Sequence, residues 1–223
     1  MVIGITGPSG AGKSLFCGFF RECGFRILDC DEIYHGMVSV PSDCTVEISL
    51  PENFGTSVLN PDGSLDRAAL AAVVFAPGAE GKLLRLNEIT HKYVHAEILR
   101  LISGLPDDCP GAVVDAPLLF QAGFDADCDL TVSLLAPENI RVSRLLCRDG
   151  ISEEKIRARL DAAPNDGYFI SRSDIVIRND GDGDALKKQA LSVIEYARRK
   201  SMCRSARRLA EPAEEKIKNE KTL

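Results

Sequence analysis

The sequence predicts an α/β fold, a parallel sheet flanked by helices, and three observations lead to this prediction. Short apolar runs, typical of buried strands, alternate with the apolar spacing of helices along the chain. Several of these runs are rich in β-branched residues, which suit strands. The first run leads through a glycine-rich turn directly into a helix. Such alternation covers both faces of a sheet, which favours parallel strands.

The first strand and helix are indicated by their residue types. The run VIGIT at 2–6 reads as a short buried strand, and a helix is predicted over 13–23. Gly24 is a plausible end for that helix. The run FRILD at 25–29 reads as a second strand, followed by a short helix over 31–37.

The next segment reads as an insertion between strands. Residues 38–62 look irregular because prolines and glycines interrupt them. Ser64 could cap a helix that runs to about residue 75. The apolar spacing over 80–101 fits a long amphipathic helix. We therefore expect a mainly helical insertion at about 40–105.

The second half of the chain returns to strands and helices. Strands are predicted at 111–117, at 129–135 and, with its exit loop, at 174–181. Pro137 can open a helix that runs to about Arg148, and Ser152 opens a further one. A closing helix presents one apolar face, formed by Leu186, Ala190, Val193, Ile194 and Ala197. We expect one domain over 1–200, with core segments 1–38 and 106–200 and a charged tail at 201–223.

The composition limits the classes of function. The formal net charge is −6, so the surface does not attract nucleic acid or anionic lipid, and an anionic substrate needs local positive sites. No apolar run reaches the roughly 20 residues of a membrane span, and the N-terminus lacks the charged region of a signal peptide. The 8 cysteines include no CxxC pair, which favours reduced, mostly buried thiols. We expect a cytoplasmic protein without nucleic-acid or membrane partners, a monomer, with a small homo-oligomer left open.

Residues 7–14, GPSGAGKS, match the complete G-x-x-x-x-G-K-[ST] pattern of a phosphate-binding P-loop. Glycines let successive N–H groups turn toward a phosphate, and the helix N-terminus adds its positive dipole end. Lys13 would reach the β- and γ-phosphates, and the Ser14 hydroxyl would coordinate Mg²⁺. The alternative is a purely structural glycine turn. The predicted ATP-binding loop comprises Gly7, Pro8, Ser9, Gly10, Ala11, Gly12, Lys13, Ser14 and Leu15.

Asp29 and Asp31 lie at the carboxyl end of the predicted second strand, at the sheet edge where ligands of α/β folds gather. If the strand persisted to residue 31, Asp29 and Asp31 would point the same way. Asp31 could then accept the proton of an attacking hydroxyl. The alternative is that Asp31 caps the next helix.

Several longer motifs resemble those of the dephospho-CoA kinase family, over residues 2 to about 195. The matching pieces are IGITGPSGAGKS at 3–14, FRILDCDEI at 25–33, DGSLDRAAL at 62–70, LNEITH at 86–91, VVDAPLLF at 113–120, RLLCRDG at 144–150 and DIVIRNDG at 174–181. The resemblance implies ATP-dependent phosphorylation of the ribose 3′-hydroxyl of dephospho-CoA, with Mg²⁺ as cofactor. It also implies that the insertion binds CoA and that about 144–170 forms a lid.

The resemblance implies a role for each matching residue. Asp31 would be the catalytic base, beside Lys13. The implied substrate-side residues are Asp29, Arg67, His91, Asp115, Pro117 and Leu118, and the implied further ATP-binding residues are Arg144, Arg148, Asn179 and Gly181. Alternatives stay open, because Arg67 could pair with a nearby aspartate, His91 could be a core histidine, and the two lid arginines could lie on a solvated face.

The sequence also departs from the family pattern. The departures are Leu15, Cys30, His35, Lys92, Gln121, Arg141 and Ala163. Most lie on the acceptor side or in the lid, so the first alternative function is a P-loop kinase for another small acceptor, such as a nucleoside or nucleotide. The second is a nucleotide-binding regulator without transfer activity.

Overall fold

The computed structural model describes the backbone of residues 1–37 and 45–220, and their side chains except those of 45–49, 80 and 202–220. Within this part of the chain, one sheet of five parallel strands has the order β2-β3-β1-β4-β5. The strands are β1 Val2–Thr6, β2 Arg26–Asp29, β3 Ala112–Asp115, β4 Leu130–Leu135 and β5 Ile175–Arg178. Each coincides with a predicted strand, so the α/β fold class is confirmed.

Helices follow the strands and cover the sheet. They are α1 Lys13–Glu22, α2 Cys30–Met37, α3 Thr45–Phe54, α4 Arg67–Val74, α5 Glu80–Ser103, α6 Glu138–Asp149, α7 Glu153–Asp161, α8 Asp166–Ile170 and α9 Gly183–Glu220. Short 3₁₀ turns lie at Thr56–Val58 and Phe124–Asp127. The predicted helices over 13–23, 31–37, 80–101 and 137–148 are confirmed to within two residues at each end. The predicted cap of α7 is also confirmed, since Ser152 accepts a hydrogen bond from the Lys155 N–H.

The core lies on both faces of the sheet. On one face, Phe16 and Phe20 of α1 pack with Ala190 and Val193 of α9 against β1 and β4. On the other face, Val94 and Ile98 of α5 pack with side chains of β2 and β3. The predicted apolar face of the closing helix is therefore confirmed. These two layers fix the sheet from both sides and leave its carboxyl edge for the loops.

The prediction of irregular structure over 38–62 is wrong for residues 45–54, which form α3 with Pro51 inside it. Residues 38–44 lie outside the described part of the chain. Proline removes one helical hydrogen bond, but Leu50 and Phe54 of α3 are buried. Leu50 and Phe54 pack with Leu70 of α4 and Ile89 of α5 in a separate apolar cluster. This packing stabilises α3 although Pro51 lies inside it.

The predicted cap of α4 is also wrong. The cap is Asp66, whose carboxylate accepts hydrogen bonds from the N–H groups of Ala68 and Ala69. Ser64 instead donates its hydroxyl to Asp62. Leu65 pairs with Leu59 in an antiparallel bridge, and this extended pairing prevents the helix from beginning earlier.

Free thiols were correctly predicted for the cysteines that the structure describes, but their predicted burial was too high. Cys17 and Cys30 are buried, whereas Cys23, Cys109 and Cys128 are half-buried and Cys147 is exposed. Among the described helices, none is both long and apolar enough to span a membrane.

Candidate active site

The glycine-rich loop joins β1 to α1 and packs tightly against the elements behind it. Gly7 has a φ of 136° and Gly12 a φ of 96°, values that side chains other than glycine rarely adopt. A Cβ at Gly7 would lie 2.2 Å from the Leu134 carbonyl oxygen, and one at Gly12 would lie 2.3 Å from Asn179 Nδ2. Both glycines are therefore required by backbone conformation and by space.

The loop leaves the start of α1 open to an anion. Gly12 occupies the N-cap position and has no side chain with which to cap the first amides of the helix. Free amides and the helix dipole favour a phosphate at this point. Lys13 folds back over the loop, and its Nζ donates a hydrogen bond to the Gly7 carbonyl at 2.9 Å. Burial lowers the Lys13 pKa, and the negative charge of Asp115 opposes that effect.

A cavity of about 560 Å³, here named the loop cavity, opens in front of the loop. It collects most of the residues predicted to bind nucleotide or substrate: Ser9, Gly10, Gly12, Lys13, Ser14, Leu15, Asp29, Asp31, Asp115, Pro117, Leu118, Arg144 and Arg148. Arg159 of α7 also lines it. Arg159 was not predicted as a site residue because it belongs to no local motif. It lines the cavity only because α7 packs beside α6.

At the acidic edge of the sheet, the condition under which Asp29 and Asp31 would point the same way is not met. β2 ends at Asp29 and α2 begins at Cys30, so the strand does not persist to Asp31. Asp29 Oδ1 accepts hydrogen bonds from the N–H groups of Asp31 and Glu32, at 2.9 and 3.1 Å. Asp29 is thus the residue that caps α2, in the position that the sequence analysis considered for Asp31. The Asp31 residue, in the first turn, is exposed and lines the loop cavity.

Asp115 is the most deeply buried acid of the site, with 6% of its surface exposed. Its register partner across the sheet is Asp29. Oδ2 accepts a hydrogen bond from the Cys17 thiol at 3.6 Å, whereas Oδ1 has no hydrogen-bond partner in the described chain. Burial raises the Asp115 pKa to about 6, although the Lys13 ammonium opposes the rise. This carboxyl group therefore carries an uncompensated desolvation cost.

A second cavity, of about 270 Å³, adjoins the first and is lined mainly by apolar side chains. We name it the apolar cavity, and its walls include Tyr34, Phe75, Leu86, His91, Val94 and Phe124. Asp31, Pro117 and Leu118 line both cavities. A ligand in the loop cavity and a ligand in the apolar cavity would therefore meet at the Asp31 carboxylate.

The predicted substrate-side residues on the insertion lie in different surroundings. His91 is half-buried in the wall of the apolar cavity, where its ring lies 6.4 Å from that of Phe124, and burial lowers its pKa. Arg67 is the first residue of α4 and lines neither cavity. Its positive charge opposes the rise that burial causes in the Tyr34 pKa, so this charge lies near Tyr34, which lines the apolar cavity.

Arg144 and Asn179 hold the glycine-rich loop from behind. The Arg144 guanidinium donates to the carbonyl of Gly10 at 3.1 Å and to Asn179 Oδ1 at 3.2 Å. Asn179 Nδ2 donates to the carbonyl of Ala11 at 2.8 Å. Both residues were predicted to bind ATP; in the structure both contact the loop backbone, and Arg144 also lines the loop cavity. Gly181, two residues further on, is exposed and outside the loop cavity.

The other two cavity arginines share one acid. Arg148 Nε donates to Asp149 at 2.6 Å, and Arg159 donates to the same carboxylate at 3.4 Å. This pairing raises the Arg148 pKa and lowers the Asp149 pKa. Both arginines lie on the surface of the helices that cover the loop cavity, so their positive charges face the position of an anionic ligand.

The donor atoms of the loop cavity fit Mg²⁺. The described chain has no group of three or more His, Cys, Asp or Glu side chains arranged to hold a metal ion. A magnesium ion that accompanies a nucleotide does not need such a group, because it takes most of its ligands from phosphates and water. The Ser14 hydroxyl is exposed in the loop cavity among carboxylates, and oxygen donors suit this hard cation.

A parallel sheet that carries a complete P-loop after its first strand, with a second cavity beside the loop, has the architecture of the P-loop kinases. A family model described as dephospho-CoA kinase matches residues 1–184. The chain belongs to the dephospho-CoA kinase family and is a phosphotransferase with an alcohol group as acceptor. The resemblance seen in the sequence is therefore confirmed.

Individual proteins support this assignment. The dephospho-CoA kinase of Corynebacterium efficiens is 36% identical over 189 residues, which are 84% of this chain and 92% of that relative. The dephospho-CoA kinase of Anaeromyxobacter dehalogenans is 37% identical over 191 residues, 85% of this chain and 88% of the relative. A crystal structure from Thermus thermophilus superposes with a TM-score of 0.73 at 30% identity, covering 88% of this chain and 97% of that one.

Replacing Asn179 with alanine tests whether this residue holds the loop. The variant loses the amide that bonds the Ala11 carbonyl and Arg144, so the loop amides of the free protein should exchange with solvent faster. We also expect about tenfold weaker ATP binding by calorimetry, roughly 1.4 kcal/mol. The matched control is Asn60→Ala, which removes an exposed side-chain hydrogen bond to Ser64 on the insertion and should change neither quantity. Unchanged loop exchange in Asn179→Ala would contradict this role.

Replacing Asp115 with asparagine tests the cost of its burial. The pKa of this acid rises from 3.8 to about 6 on folding, so the ionised form disfavours the folded state once the pH exceeds that range. Asparagine mimics the protonated acid, and the free variant should be more stable than the wild type at pH 7.5, by up to about 3 kcal/mol. The difference should shrink as the pH falls toward 4. Urea unfolding measures it, and a variant less stable than the wild type at pH 7.5 would contradict the account.

Proposed function

We propose that this chain transfers the γ-phosphoryl group of ATP to the ribose 3′-hydroxyl of dephospho-CoA. One observation carries the proposal: the loop cavity and the apolar cavity meet at Asp31, Pro117 and Leu118. The family assignment supports the choice of donor and acceptor. The reaction needs both substrates in contact, and a shared wall with a carboxylate on it provides such a place.

On the donor side, the loop amides and the α1 N-terminus would hold the β- and γ-phosphates. Lys13 would lie against the transferred group, where positive charge counts most as the bond to ADP breaks. Ser14 would hold Mg²⁺, and the ion supplies charge neutralisation to the phosphates when bound. Arg144, in this proposal, acts through the loop that it fixes rather than as a first contact to ATP.

On the acceptor side, Asp31 would accept the proton of the 3′-hydroxyl as the oxygen attacks phosphorus. Its place in the first turn of α2 is set by the Asp29 cap, whose hydrogen bond reaches the Asp31 backbone N–H. Oδ1 of Asp29 is engaged in this cap, which favours the more exposed Asp31 as the proton acceptor. The base is thus held by backbone geometry, which favours in-line orientation of the hydroxyl.

The described helices between β2 and β3 would bind the rest of the acceptor. In this proposal Tyr34 and His91 of these helices, together with Phe124 of the 3₁₀ turn after β3, form an apolar surface for the adenosine and pantetheine parts. A neutral His91, consistent with its lowered pKa, suits such a surface. Arg67, whose charge lies near Tyr34, would face the diphosphate.

The segment 144–170 would act as a lid. Arg148 and Arg159 are both paired with Asp149, and a phosphate could replace that carboxylate as their partner. Exchange of one anion for another would draw α6 and α7 toward ATP. The remaining parts of the proposal are Mg²⁺ as cofactor, a monomeric state and a location in the cytoplasm, where ATP is available.

Asparagine substitution at the two acids separates their roles. Asp31→Asn keeps the size of the side chain but removes the proton acceptor, so transfer should fall by at least about a hundredfold, roughly 2.7 kcal/mol. ATP binding should survive. Asp29→Asn should be much milder, because asparagine also caps helices well. Initial rates of ADP release measure both, and a larger loss for Asp29→Asn would move the base to Asp29.

A panel of acceptors tests the proposed substrate. Dephospho-CoA carries a pantetheine arm and a diphosphate, whose binding can orient the reacting hydroxyl, whereas AMP and adenosine lack them. We expect kcat/KM for dephospho-CoA to exceed that for AMP or adenosine by at least about a hundredfold. Coupled ADP release at matched acceptor concentrations gives the values. Equal efficiency with AMP, or activity on a nucleoside alone, would favour the alternative of a kinase for another small acceptor.

A further inference from the structure

Cys17 lies on α1, one helical turn beyond Lys13, directly beneath the loop cavity. It is buried, with 2% of its surface exposed. Its thiol lies 3.6 Å from Asp115 Oδ2, in a buried hydrogen bond that joins α1 to the end of β3. The other carboxylate oxygen, Oδ1, is buried and has no hydrogen-bond partner within the described chain. The two oxygens of Asp115 are therefore in different surroundings.

The thiol remains a donor in this position. Burial and the negative charge of Asp115 raise the Cys17 pKa, so the sulfur keeps its proton. A neutral thiol is a weak donor, but a carboxylate is a strong acceptor, and the pair is shielded from water. Cys17 also belongs to the apolar core with Phe16 and Phe20. Packing alone explains a small apolar side chain there, but it does not explain why the sulfur is in contact with the one buried acid of the site.

We infer that Cys17 is a positioning residue for phosphoryl transfer, because its thiol engages Asp115 Oδ2 and thereby fixes the orientation of the carboxylate beside Lys13. The inference rests on the proposed function. Asp115 lines that cavity beside Lys13, and its charge supports the ammonium that would contact the transferred phosphate. A carboxyl group that rotated freely would hold this charge in the wrong place for part of the time. Cys17 acts through Asp115 and does not contact substrate.

A double-mutant cycle tests the inference. The variants are Cys17→Ala, Cys17→Ser, Asp115→Asn and the combined Cys17→Ala/Asp115→Asn protein. Serine restores a hydrogen-bond donor of similar size, which alanine lacks. The matched control is Cys109→Ala, which removes a thiol that donates to the Gly111 carbonyl near the opposite edge of the sheet. Two rates are measured for each full-length protein: ADP release with dephospho-CoA, and the slow ADP release without acceptor. Urea unfolding confirms that each variant is folded under the assay conditions.

We expect Cys17→Ala to lower kcat about tenfold with the KM for ATP within about twofold, and Cys17→Ser to keep about half of the wild-type kcat or more. In the Asp115→Asn background the alanine substitution should cause no further loss, because the negative charge that Cys17 positions is already absent. Cys109→Ala should match the wild type.

A wild-type kcat in Cys17→Ala would overturn the inference. So would a combined variant whose fold-loss in kcat equals the product of the fold-losses of Cys17→Ala and Asp115→Asn. An equal loss in the serine and alanine variants would also overturn it, since it would mean packing alone. A wild-type protein that releases ADP slowly but does not transfer to dephospho-CoA would refute the proposed function instead. The rates without acceptor would then still decide the role of Cys17.

Discussion

The close packing of the glycine-rich loop against β4 and Asn179 constrains the whole carboxyl edge of the sheet. Gly7 touches the β4 backbone, and Gly12 touches Asn179, at distances that leave no room for a Cβ. The carbonyls of Gly10 and Ala11 face inward to Arg144 and Asn179, which leaves the amides at the start of α1 to face an anion. Because the carbonyls are already satisfied within the protein, the loop does not depend on a ligand for its shape. Pre-organisation of this kind reduces the reorganisation that phosphate binding requires.

Charge is the second constraint on the site. Three carboxylates and Lys13 line one cavity, and the acids would repel a nucleotide if they acted alone. Arg148 and Arg159, together with the magnesium ion that accompanies ATP, balance them in the proposed reaction. Asp115 costs stability in the free protein, since its pKa is raised by burial. Acids with a pKa shifted by burial are common at functional sites, which often lower the stability of the folded protein.

Local features of the site could be predicted from the sequence, and features that depend on packing could not. The P-loop and the five strands follow from residue type and spacing alone. The partners of Arg144 and Asn179 lie 134 and 168 positions away, so no local pattern reveals them. Ser64 and Asp66 are both good caps, and only the pairing of Leu65 decides between them. The second strand was predicted to end at Asp29, and β2 ends there. Which of Asp29 and Asp31 caps α2 could not be predicted, because it depends on the hydrogen bonds that Asp29 accepts.

The central claim is that two adjoining cavities hold donor and acceptor together at Asp31. A bisubstrate ligand, in which the 3′-oxygen of dephospho-CoA is joined through a polyphosphate chain to adenosine, would occupy both at once. Calorimetry in the presence of Mg²⁺ gives its affinity beside those of ATP and dephospho-CoA. The account predicts a Kd at least about a hundredfold below that of either substrate, since the second half binds at high effective concentration. A bisubstrate ligand that binds no more tightly than ATP alone would contradict it.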